Sequence, residues 1–122
     1  MKIAGLGFRS AAGLASLREA LDAAGGVDGI TALATANRKA GTAVLQALAA
    51  ELGLPVRAVA PEALAAVETL TRSHRVLAYA GAGSLAEAAA LAAAGPGGRL
   101  LGPRAVSRDG MATAAIAEGL DR

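Results

Sequence analysis

The sequence predicts an α/β protein, a single three-layer domain in which a mostly parallel sheet is covered by helices on both faces and finished by a C-terminal strand pair. Three observations carry this. Short apolar runs alternate four times with Ala- and Leu-rich helical segments; glycine or proline punctuates the junctions; and 122 residues suffice for one core and no more. The turn residues near the end allow the closing pair to be antiparallel.

Lys2 to Phe8 is an apolar run with alternating glycines and reads as the first strand. Ser16 and Glu19 have capping-box spacing for a helix through about Ala24, which Gly25, Gly26 and Gly29 end. Ile30 to Ala34 reads as the second strand. Ala40 to Leu52 places Leu45, Leu48 and Leu52 at helical spacing, with Gly53 as the stop. Val56 to Val59 is a third strand, and Pro61 suits the first turn of a helix running to about Leu70. Val76 to Ala80 reads as a buried fourth strand, followed by Gly81-Ala82-Gly83-Ser84 and a helix with a second capping-box spacing, Ser84 to Glu87. Gly95-Pro96-Gly97-Gly98 forces a turn. Arg99 to Leu101 and Ala112 to Ala117 form the closing pair, joined through Gly102-Pro103 and Asp109-Gly110.

Composition excludes several chemistries. Of the 122 residues 35 are Ala, with one Phe and one Tyr, so the core is built from Ala, Leu and Val and there are no stacking platforms for single-stranded nucleic acid. The net charge of +2 is too small an excess to imply nucleic acid. The absence of cysteine removes disulfides, thiolate metal sites and a cysteine nucleophile, and a lone His74 cannot build a multi-histidine metal site; no metal or cofactor is expected. The longest uncharged stretch is eleven residues, short of the roughly twenty that span a bilayer, so no membrane association is expected. With a strand beginning at residue 2, the expected location is the cytoplasm.

In a sheet of this kind ligands bind outside the carboxyl ends of the strands. Three loops share that edge: Gly5 to Ser10, Thr35 to Lys39, and Gly81 to Ser84. The last opens a helix, whose unpaired N–H groups and dipole favour an anion, although a purely structural cap uses the same residues. Candidate ligand-binding residues are therefore Gly5, Gly7, Arg9, Thr35, Asn37, Arg38, Lys39, Gly81, Gly83 and Ser84, joined by Arg104 if the final loop folds back. Arg38 and Lys39 stand at a helix start, where cations oppose the dipole; an anionic ligand would compensate, and Arg clamps carboxylates in bidentate fashion.

No catalytic pair stands out. Gly5-x-Gly7 lacks the third glycine of a dinucleotide-binding turn, Ser10 standing there instead, and no phosphate-binding Gly-Lys-Ser/Thr occurs. His74 falls at the opposite end of its strand. Ser84 lacks an activating base. Glu87 is the better acid–base candidate by location, and a cap role would keep it ionised and occupied. Asp22, Asp28 and Asp109 suit helix-surface or turn positions.

In order and spacing, Gly5-Leu6-Gly7-Phe8-Arg9, Leu33 to Ala40, Leu52-Gly53-Leu54-Pro55, Gly81 to Leu91 and Thr113 to Ala117 resemble the family of CobE and the C-terminal domain of CbiG, proteins of cobalamin biosynthesis. The resemblance spans nearly the whole chain. It implies an α/β domain that binds or acts on a corrin precursor, a macrocycle fringed with acetate and propionate carboxylates, and another enzyme of the pathway as a candidate partner. CbiG proteins carry additional N-terminal regions and are associated with opening a lactone on a cobalt-precorrin, so the chain looks like the stand-alone CobE form. Asn37 replaces the loop's usual Asp, and Gly41-Thr42 follow Ala40 where acidic residues are usual. Three roles are compatible: a corrinoid-binding protein, a hydrolase using Glu87 or an ordered water, and a non-catalytic subunit that presents an intermediate to a partner.

Overall fold

The computed structural model describes residues 1–67 and 82–119. The elements in chain order are β1 (Lys2–Phe8), α1 (Leu14–Ala24), β2 (Ile30–Ala36), a 3-10 turn (Asn37–Lys39), α2 (Ala43–Leu52), β3 (Val56–Val59), α3 (Pro61–Ala66), α4 (Ala82–Ala94), β4 (Arg99–Leu100), β5 (Ala105–Val106) and β6 (Ala112–Glu118). The fourth predicted strand, Val76 to Ala80, lies outside the described residues, as do His74 and Gly81.

The sheet order is β3-β2-β1-β6-β4, with β5 also paired to β6. β1, β2 and β3 run parallel, while β6 is antiparallel to β1, to β4 and to β5. Among the described residues five strands thus share one direction and β6 alone opposes them. β6 sits inside the sheet, and residues 112–117 are all buried.

Helices cover both faces, as the alternation requires. On one face Leu6 and Phe8 of β1 and Leu33 of β2 meet Leu17 and Leu21 of α1 and Leu45 and Leu48 of α2. On the other, Ile3, Ala32, Ala34 and Val59 meet Ala89, Ala90 and Ala94 of α4, with Leu64 of α3 alongside. Alanine lets this second layer come close, since a side chain of one carbon sets the separation of helix and sheet.

Several boundaries differ from the local reading. α2 ends as expected, with Gly53 left-handed at φ 68° and its N–H on the carbonyls of Ala49 and Ala50. α1 begins at Leu14, two residues before Ser16, with Gly13 at the cap position and no side-chain cap. Ser16 and Glu19 do not form a capping box: the Ser16 hydroxyl donates to Asp109 Oδ2 at 2.6 Å, and Glu19 accepts the backbone N–H of Arg108. Their one-turn spacing grips the β5–β6 turn. Helix α3 stops at Ala66 because Val67 turns to extended backbone, φ −91° and ψ 137°.

Candidate functional site

β1, β2 and β3 run parallel, so their carboxyl ends finish at one edge of the sheet. β2 ends at Ala36 and passes directly into the turn Asn37–Lys39. That turn is tied down: Ala40 N–H donates to Asn37 O at 3.3 Å, and both the hydroxyl and the N–H of Thr42 donate to Lys39 O, at 2.9 and 3.1 Å. Gln46 reaches back from α2 to Ala40 O at 2.7 Å. Asn37 and Arg38 are exposed, Lys39 half-buried.

Beside this turn lies a pocket of about 360 Å³, lined by Ala36, Asn37 and Arg38 with Val59, Pro61, Leu64 and Leu85. It forms where the ends of β2 and β3, the first turns of α3 and the start of α4 converge. Among the described residues its lining is aliphatic apart from Asn37 and Arg38, the composition of a ligand site with few orienting groups. Of the residues singled out in the sequence, Asn37 and Arg38 meet here. Val59 ends the third expected strand, Pro61 opens the helix after it, and Leu64 and Leu85 lie within expected helices; the sequence marks none of the four as a site residue. The loop after Val59 also leaves a carboxyl end, so the strand-edge rule applied to the third strand would have included it.

The other candidates fall elsewhere. The Lys39 ammonium donates to the backbone carbonyl of Phe8 and lies 4.7 Å from the centre of the Phe8 ring. Burial lowers its pKa from the ordinary lysine value, and the adjacent Arg38 charge adds to this. Thr35 is fully buried and donates its hydroxyl to Leu6 O at 2.8 Å, stitching β2 to β1. Gly5 is the contact point of β1 with α4. The carbonyl of Gly7 accepts the Thr113 hydroxyl at 3.3 Å. Arg9 is exposed at the end of β1, its N–H on Met111 O at 2.9 Å. Gly83 and Ser84 lie in the first turn of α4.

Arg104 stands away from the pocket. It precedes β5, which pairs with β6 on the side opposite β1. Its backbone N–H donates to Glu87 Oε2 at 3.1 Å, and Glu87 is fully buried within α4. A carboxylate held in this way braces the 101–104 loop against the helix.

Arg18 pairs with Glu51, Arg99 with Glu118 at 3.3 Å, and Arg108 with Glu19 at 3.7 Å. Among the described residues Lys2, Arg9, Arg38, Arg57 and Arg104 have no carboxylate partner, and of these Arg38 lines the pocket. No helix among the described residues is long and apolar enough to cross a membrane.

Comparison with known proteins gives a consistent picture. The family model of the cobalamin synthesis G C-terminus matches residues 2–117. The cobalamin biosynthesis protein chiG from Agrobacterium tumefaciens is similar in structure, with 38% identity over 99% of this chain and 100% of that one and a TM-score of 0.71. CobE, a protein from the cobalamin (vitamin B12) biosynthetic pathway, is similar at 32% identity over 100% of this chain and 93% of that one, with a TM-score of 0.74. Comparison with curated proteins gives no match. A family match over almost the whole length, on the fold that the two solved relatives share, means that the chain belongs to the CobE and CbiG C-terminal family of cobalamin biosynthesis proteins.

Proposed function

We propose that this cobalamin biosynthesis protein binds a polycarboxylate corrin precursor at the carboxyl edge of β2 and β3, in the pocket that Arg38 and Asn37 border. The observation that carries this reading is the pairing of aliphatic walls with an arginine that has no carboxylate partner among the described residues. An apolar ring edge with ionised arms is the kind of ligand such a site suits: the walls of Val59, Leu64 and Leu85 take the hydrocarbon, and the guanidinium takes a carboxylate through two parallel hydrogen bonds. In this reading Arg9, exposed at the end of the neighbouring strand β1, takes a second arm.

The test is a visible-absorption titration of the purified protein with cobalt-free and cobalt-containing corrin intermediates, because the ring chromophore shifts when its surroundings change. Saturable shifts with a free-acid corrin, weakened about tenfold or more in Arg38→Ala, are expected from the loss of a charge-assisted contact worth roughly 1.5–3 kcal/mol. Equal affinity in wild type and Arg38→Ala would move the site away from this pocket.

A further inference from the structure

Lys39 follows Arg38 directly, yet the two side chains do different things. Arg38 borders the pocket; Lys39 does not. The Lys39 ammonium turns back to β1, donating to the carbonyl of Phe8 with the Phe8 ring 4.7 Å away. Phe8 is the last residue of β1 and Lys39 the last of the 3-10 turn after β2, so this contact joins the two strand ends at the edge where the pocket opens. The pairing of β1 with β2 in register extends only to Gly5 and Ala34, and above it the strand ends are joined by two side chains: Thr35 on Leu6 O, then Lys39 on Phe8 O.

We infer that Lys39 is a positioning residue, a side-chain strut from the turn to the end of β1 that fixes how Asn37 and Arg38 present themselves to the pocket, and not one of the cations that pair with ligand carboxylates. This rests on the binding reading above only where affinity is measured. The strut has two ends. At one, the ammonium is occupied by a carbonyl and an aromatic face, a combination that satisfies a cation without an anion. At the other, the carbonyls of Asn37 and Lys39 anchor the N–H groups of Ala40 and Thr42, so the turn is a closed unit whose tilt the Lys39 side chain sets. Half-burial of Lys39 matches this role, since a solvated ligand cation would not be drawn under the strand end.

Lys39→Met keeps the length of the side chain and removes both the donor and the charge. Its effect is read in two ways. In the free protein, amide hydrogen exchange of Ala40 and Thr42 is expected to speed up about tenfold, while the core amides of β6 keep their protection and the melting temperature stays within a few degrees. Unchanged exchange at both amides would overturn the inference whatever the ligand. In titrations with a free-acid corrin, run at low and high salt, Arg38→Ala is expected to flatten the salt dependence, because a screened ion pair is gone. Lys39→Met, which also removes a charge near the anion, is expected to weaken binding severalfold with a smaller change of salt slope than Arg38→Ala, and to cost less than twofold more when added to Arg38→Ala. A slope flattened as far as in Arg38→Ala, with additive losses, would make Lys39 a direct partner of the ligand and defeat the positioning role. If no corrin binds the wild-type protein, the binding reading fails, and the exchange result still decides the strut.

Discussion

A Cβ on Gly5 would lie 2.0 Å from the carbonyl oxygen of Ala86, so β1 and α4 meet backbone to backbone. The same Cβ would be 2.7 Å from Ala90 N, leaving the helix no direction in which to yield locally. This contact sets the height of α4 over the sheet, and with it the place of Leu85 in the pocket wall. Gly5→Ala is therefore expected to cost about 3 kcal/mol or more, beyond the usual cost of overpacking, because the clash is with main chain. Denaturant unfolding checks this; a loss under about 1 kcal/mol would mean that the layers separate easily.

The β5–β6 turn should be sensitive to acid. Asp109 accepts the hydroxyls of Ser16 and Ser107, both at 2.6 Å, and Met111 N–H at 3.0 Å. These bonds, that from Ser107 first, hold its carboxyl down from 3.8 to about 2. A carboxyl depressed in the folded state contributes stability that is fully present above its unfolded value and is lost as pH falls through the folded one. The loss thus falls between pH 3.8 and about 2. Asp109→Asn, whose amide nitrogen cannot accept a hydroxyl proton, should lower stability at neutral pH and remove part of that acid slope. Melting temperature against pH in the two proteins measures it, and parallel curves would count against the clasp.

Thr35 separates a strand brace from a ligand contact. Its hydroxyl is buried on Leu6 O at 2.8 Å. Thr35→Val keeps the shape and leaves that carbonyl short of a donor, so about 1–2 kcal/mol of stability should go. Corrin affinity should change less than twofold in the same protein, because the hydroxyl is spent within the sheet. A large loss of affinity with stability intact would return Thr35 to the site.

The alternation of elements was legible in the sequence where a boundary has a local cause: Lys2–Phe8 and Val56–Val59 are found where their apolar runs lie, and Gly53 and Pro61 mark the ends they were expected to mark. What stayed hidden depends on residues far apart in the chain. Ser16 and Glu19 looked like a cap because their spacing is that of a cap, yet their partners are Asp109 and Arg108, about ninety residues away. The insertion of β6 between β1 and β4 is likewise a matter of strand order, which periodicity does not encode. At the site, Asn37 and Arg38 were visible as polar residues at a strand end. Leu64 and Leu85 were not, because an aliphatic pocket wall has the same helical spacing as a core. Lys39 beside Arg38 read as a second ligand cation, and only the fold reveals that the Phe8 carbonyl takes its ammonium.

The apolar wall offers a way to test the pocket without touching a charge. Leu85 is only half-buried and faces a space of about 360 Å³, so a larger side chain there can extend into the pocket without displacing core. Leu85→Trp should keep the melting temperature within a few degrees and weaken binding of a free-acid corrin by tenfold or more, since the indole takes the volume that the ring edge needs. Val106, 50% exposed on β5 and outside the pocket, supplies the control: Val106→Trp adds slightly more bulk on the other side of β6 and should leave affinity unchanged. Because neither change alters charge, long-range attraction of an anionic ligand is the same in both proteins, and a difference between them reports shape alone. Equal affinity in both would place the corrin elsewhere on the edge, nearer Arg9.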